Sequence, residues 1–161
     1  MLVTLFGTIF ATDLSKKRLT DKVTTMLRDI HRVAVEDIAI AIVPKEKKSE
    51  NEDVLWEVYL LNLKQEPIEN VIIASKGYGS YNGEDVKTST LRHYLGTMAP
   101  LSYMLIEPIQ ENVFGLNNEY WLSFYIEREI FDKKYIFLPE SINEKYFTAI
   151  PLLGKKGVMI R

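Results

Sequence analysis

Residues Ser75–Ser89 read "SKGYGSYNGEDVKTS" and follow directly on the apolar run "NVIIA". Three glycines, a lysine and hydroxyl residues behind a predicted strand are the ingredients of a phosphate-binding loop. A loop of that kind would make the fold α/β; a turn would make it all-β. The spacing decides. A Walker-type loop places four residues between its glycines, with Lys and Ser/Thr directly after the second. Here Gly77 and Gly83 are separated by five residues, Gly79 and Gly83 by three, and Lys87-Thr88 arrives three residues late. The dinucleotide fingerprint fails as well, because Gly77-Tyr78-Gly79 lacks its third glycine. Both motifs also need a following helix whose amides hold the phosphate, and "VKTSTLRHYL" (86–95) has the character of a strand. The stretch is therefore a hairpin loop, its glycines supplying positive φ angles.

Outward from the loop, strand signals dominate. "DIAIAIV" (37–43) alternates Ile38, Ile40 and Ile42 against Ala39, Ala41 and Val43, and Pro44 ends it. "KEKKSENED" (45–53) is a charged loop. "VLWEVYLLNL" (54–63) sets Trp56, Val58 and Leu60 on one face and Leu55, Tyr59 and Leu61 on the other, the pattern of a strand covered on both sides. "ENVIIAS", "VKTSTLRHYL" and "PLSYMLIEPI" follow, then the connection "QENVFGLNN". "EYWLSFYIE" and "IFDKKYIFL" form a hairpin in which Tyr120, Leu122, Phe124 and Ile126 share a face. The turn near Arg128 has no Gly or Asn, so a tight two-residue turn is poorly specified. The tail "SINEKYFTAIPLLGKKGVMIR" (141–161) reads as irregular, with room for one short strand.

This is about seven strands with no alternation of strand and helix, so a doubly wound fold is disfavoured. The expected fold is mainly β: an immunoglobulin-like β-sandwich over residues 36–161, preceded by an N-terminal helical segment or arm over residues 1–35. In that segment "DLSKKRLTDKVTTMLRDIHRV" (13–33) is patterned as an amphipathic helix, with Leu19, Val23, Met26, Leu27 and Ile30 on one face. "MLVTLFGTIFA" (1–11) is long enough for a secretory signal but lacks the preceding positive flank. It reads as a short strand or hydrophobic arm, or as residues added by an upstream start, with Met26 as the alternative start.

Composition removes several chemistries. The 161 residues include no cysteine and two histidines, His31 and His93. Disulfides, thiolate metal sites and a cysteine nucleophile are excluded, and no metal or other cofactor is implied. The absence of cysteine fits a cytoplasmic setting. No apolar run reaches the ~20 residues of a membrane helix. Net charge is −2; residues 1–50 hold nine Lys/Arg against seven Asp/Glu, and residues 51–161 hold eleven against fifteen. A mildly acidic body disfavours nucleic acid as a partner. The sequence sets no oligomeric state.

No nucleophile motif is present, so no catalytic residue is assigned. Glu66, Glu69, Glu107, Glu111, Glu119, Glu127 and Glu140 leave a carboxylate site open, since sequence gives no separations. The candidate binding surface is the loop and the strand after it: Lys76, Gly77, Tyr78, Gly79, Lys87, Ser89, Thr90, Arg92 and His93. Strand alternation sets Lys87 and Ser89 against Thr90 and Arg92, so Arg92 and His93 share a face only across a bulge. Trp121 and Tyr125 fall on the face opposite Tyr120, with Ser123 and Glu127, which offers an exposed aromatic surface to a partner.

The stretches "WEVYLLN", "PIENVIIASKGYG", "KTSTLRHYLG", "LNNEYWLSFYI" and "SINEKYFTAIPLLGKKGVM", in that order, resemble a small uncharacterised bacterial protein family, some members of which carry the name phenylalanyl-tRNA synthetase alpha subunit. The resemblance covers residues 36–161 and implies a compact, β-rich cytoplasmic protein. A synthetase core binds ATP, an amino acid and tRNA through dedicated arginines. Residues 36–161 hold three, Arg92, Arg128 and Arg161, and no catalytic residue carries over. The expected function is a non-enzymatic binding or interaction module with a protein partner. The alternative is an RNA- or translation-associated protein using the same small cationic surface.

Overall fold

In the computed structural model, residues 34–46, 55–81 and 83–161 are described. The expected N-terminal helix lies outside them. Among the described residues ten strands form: β1 Ile38–Pro44, β2 Leu55–Asn62, β3 Ile68–Tyr81, β4 Glu84–Lys87, β5 Leu91–Met98, β6 Ser102–Gln110, β7 Asn117–Ile126, β8 Glu129–Phe137, β9 Thr148–Ile150 and β10 Lys155–Ile160. The first sheet has the order β6-β2-β1-β10-β9; the second runs β4-β3-β7-β8, with β5 also pairing β3, and every pairing is antiparallel. Among the described residues no helix is long and apolar enough to cross a membrane.

One core joins the two sheets. Ile38, Ile40 and Ile42 of β1 and Trp56, Val58 and Leu60 of β2 meet Ile73, Leu122, Phe124 and Tyr135 of the second sheet. The Tyr135 hydroxyl spans the core and donates to the Ile38 carbonyl at 3.0 Å. The other face of β1, Ala39, Ala41 and Val43, forms a smaller cluster with Leu61 and Ile150. The alternation read in β1 and β2 therefore holds, with both faces of β1 buried, while on the second face of β2 Leu55 and Tyr59 are half-buried and Leu61 is buried.

The ten strands correct the expected seven in two places. "VKTSTLRHYL" is two strands, β4 and β5, laid end to end along β3 and broken at Thr88–Thr90. At the break, Thr88 replaces the ladder: its N–H donates to the Gly77 carbonyl at 2.9 Å, and its Oγ1 accepts from the Gly77 N–H at 2.8 Å. The tail adds β9 and β10. Gly157 is what lets β10 lie against β1, since a Cβ there would meet the Ile42 carbonyl oxygen and fall 2.7 Å from Val43 Cγ1.

The loop reading also needs correction. β3 continues through Gly77 and Gly79 to Tyr81, which pairs with Glu84, so of the three glycines only Gly83, at φ 81°, serves the turn. Gly77 and Gly79 are strand residues that make room: a Cβ on Gly77 would fall 3.1 Å from Thr88 Cγ2, and one on Gly79 would fall 3.4 Å from Leu116 Cδ2. The β7–β8 turn is tight after all. Ile126 pairs with Glu129, and Glu127 takes φ 54° despite its side chain.

Candidate functional site

Strand alternation divides the candidate residues between the two faces of the second sheet. On β3, Gly77 faces inward with Ser75, while Lys76 and Tyr78 face outward. Lys87 pairs with Tyr78 and Arg92 with Ala74, which puts both on the outer side. Ser89 borders an inner cleft, Thr90 is exposed in the β4–β5 break, and His93 faces inward opposite Ile73. The nine residues form no single patch.

The outer face is built from cross-strand rows. One row runs Arg92–Ala74–Trp121–Lys134, and the next Tyr94–Ile72–Ser123–Asp132; Tyr125 and Ile130 pair beyond them. Trp121 is 48% exposed and Tyr94 69%, and Ile72, Tyr125 and Ile130 are exposed too. The Trp121 indole N–H donates to Asp132 Oδ1 at 3.1 Å, and Lys134 Nζ lies 4.8 Å from its ring centroid. The charges here are mixed: Glu119, nearly buried, holds Lys76 at 3.1 Å and Lys134 at 3.6 Å. Alternation along β7 found Trp121 and Tyr125. It missed Ile72, Tyr94 and Ile130, because their meeting depends on the registers of β5 and β8, which no local pattern encodes.

The inner site sits where the sheets part. β5 and β6 lie one in each sheet and leave the short Ala99–Leu101 connection together. The buried Asn62 amide ties that connection down, donating to the Ala99 carbonyl at 2.9 Å. The strands then diverge, and His93 of β5 bridges to Glu107 of β6, its Nε2–H donating to Oε2 at 2.9 Å. Beyond this bridge a cleft of about 470 Å³ opens, bordered by Ser75, Ser89, Leu91, Glu107, Ile109 and Tyr120. Glu107 points inward only because of a bulge. Between the Val58–Glu107 and Tyr59–Leu105 pairs, β6 carries the extra residue Ile106, so Ile106 and Glu107 both turn to the interior. Strict alternation would have sent Glu107 to solvent. Burial first, and then the Glu107 carboxylate beside it, push the Tyr120 phenol well above the ordinary tyrosine range. Among the described residues Glu107 is the only carboxylate bordering the cleft. Among the described residues no three His, Asp or Glu side chains come together as a metal-binding group.

Comparisons with protein-family models, with curated proteins and with solved structures find no match to this chain.

Proposed function

We propose that this chain is an immunoglobulin-like β-sandwich acting as a cytoplasmic, non-enzymatic interaction module, and that the outer face of its second sheet contacts a protein partner. The observation that carries this reading is the row pair on that face, where Trp121, Tyr94, Tyr125, Ile72 and Ile130 are exposed together. Burying them in the core is not what holds the sheet, and large apolar groups gathered on one face mark contact surfaces. Trp, Tyr and Arg are also the residue types that dominate protein interfaces. Glu119 pairs with Lys76 and Lys134, and Asp132 and Arg92 add one charge of each sign to the face, which favours a partner presenting an apolar patch ringed by charges of both signs.

A second reading draws on the same residues. Arg92, Trp121 and Lys134 share a row, and cations interleaved with aromatic rings can stack and neutralise single-stranded RNA. It agrees with the translation-associated name that the sequence resemblance suggests. The acidic residues on the face weigh against it.

An affinity pull-down of the full chain, with and without nuclease, separates the two. The protein-partner reading requires a nuclease-resistant partner lost in the Trp121→Ala/Tyr125→Ala variant and retained in Leu91→Ala, on the opposite face. Charge reversal at Lys87 or Arg92 should weaken that partner without unfolding the chain. Partners lost to nuclease, with affinity falling steeply as salt rises, would replace it with the RNA reading.

A further inference from the structure

We propose that the cleft between the sheets binds a small neutral polyhydroxylated ligand, of the size of a mono- or disaccharide. This site is on the inner side of the second sheet and independent of the aromatic face. Its volume of about 470 Å³ falls in the range of small-molecule sites, roughly 300–1,000 Å³.

The walls mix apolar side chains with polar ones, which a packed core would not leave exposed to open space. Ser75 is 4% exposed, and among the described residues its hydroxyl makes no hydrogen bond. Fully buried side-chain polar atoms among those residues are all partnered, so the Ser75 hydroxyl opens onto the cleft, which it borders. A nearly buried hydroxyl left free is uncommon and invites a partner. The next inward position of β3, Gly77, also borders the cleft, beside the Thr88 side chain that packs against it.

Charge then selects the ligand class. An anion would need a cation to meet it, but Lys76, the one lysine or arginine among the described residues bordering the cleft, turns its ammonium to Glu119 on the other face. A cation would look to Glu107, whose Oε2 is already taken by His93, with the Tyr120 phenol beside it. Among the described residues, what remains at the cleft is a set of groups that both donate and accept: the hydroxyls of Ser75 and Ser89 and the side-chain amides of Gln110 and Asn112. Alcohols are their natural match, because each ligand hydroxyl also does both. Leu91 and Ile109 supply apolar wall for the C–H faces of a sugar ring.

The test is amide chemical-shift mapping by NMR on the full chain, titrated separately with glucose, maltose, choline and inorganic phosphate. Expected are saturable shifts at Ser75, Ser89 and Glu107 with one of the sugars, at millimolar affinity. Ser75→Ala should weaken that sugar about fivefold, the scale of one hydrogen bond. Leu91→Trp should abolish it by filling the mouth of the cleft. Leu91 is 52% exposed, so its melting temperature should match that of the parent chain. Trp121→Ala should leave sugar binding unchanged, keeping this site distinct from the outer face. Shifts with neither sugar, stronger binding of choline or phosphate at these amides, or full sugar binding by a folded Leu91→Trp chain would each overturn the proposal.

Discussion

The two faces of β7 carry similar residues and do different things. Inward, Tyr120, Leu122 and Phe124 are buried; outward, Trp121 and Tyr125 are exposed, although they are among the largest apolar side chains of the strand. The inner residues are accounted for by folding: each removes apolar surface from water, about 25 cal/mol per Å². The outer residues gain little of this. Folding therefore does not account for their size, and that difference is what the proposed contact surface rests on.

The inner face should fail first under alkaline conditions. Burial pushes the Tyr135 phenol well above its ordinary range, and burial with Glu107 does the same to Tyr120. Burial, then hydrogen bonding to Glu57, moves Tyr59 to about 12. All three folded-state values are raised, so their contribution is complete below about pH 10, the unfolded tyrosine value. It is lost above that pH, as the unfolded chain ionises and the folded one does not. Tyr120 and Tyr135, the two buried phenols, each then remove up to about 1.4 kcal/mol of stability per pH unit, and the more exposed Tyr59, screened by solvent, removes less. Phenolate absorbance followed beside far-ultraviolet circular dichroism should show part of the nine tyrosines ionising only as the β signal collapses. Smooth ionisation of all nine with the β signal intact would remove Tyr120 and Tyr135 from the interior.

The next effect is a core truncation. Leu122 has no exposed surface and lies in the shared core, so Leu122→Ala should cost about 3 kcal/mol through lost burial and a residual cavity. Urea unfolding measures it; a loss under about 1 kcal/mol would mean the inner face is not packed as described.

How much of this contrast was legible depended on whether a feature is local. The two apolar faces of β1 could be read because Ile and Ala alternate without interruption, and the inner face of β7 could be read for the same reason. Glu107 could not. It turns inward through the extra residue Ile106, and a bulge is defined only against the partner strand β2. Glycines misled for a related cause. Gly77 and Gly157 resemble turn residues in sequence, yet each sits in a strand: Gly77 lies tight against the Thr88 side chain, and at Gly157 the β1 backbone comes too close for a side chain. The outer patch was half visible: Trp121 and Tyr125 came from one strand, while Tyr94 joined them through a pairing with Ile72 that only the folded sheet defines. The cleft was not visible, because it arises from the divergence of β5 and β6.

The hairpin that carries both faces of β7 closes at some strain. Glu127 holds φ 54°, a region that costs a side-chain-bearing residue roughly 1 kcal/mol or more. Glu127→Gly should therefore stabilise the chain by about 1 kcal/mol, raising the thermal midpoint with no change in either face. A drop in the midpoint would show that the Glu127 side chain makes a contact worth more than the strain.

The smallest stability effect tests the contrast most directly. Trp121 is adjacent to Leu122 on the same strand, yet its contacts are an exposed hydrogen bond to Asp132 and a cation–π approach from Lys134. Cross-strand pairs of this kind contribute roughly 0.2–1 kcal/mol. Trp121→Ala should thus cost about 0.5 kcal/mol, a small fraction of the Leu122→Ala loss, in the same urea experiment. If Trp121→Ala instead cost as much as Leu122→Ala, the outer face would be structural and its aromatics would need no partner. A near-silent substitution that also releases the bound protein would leave contact as the reason a tryptophan stands there.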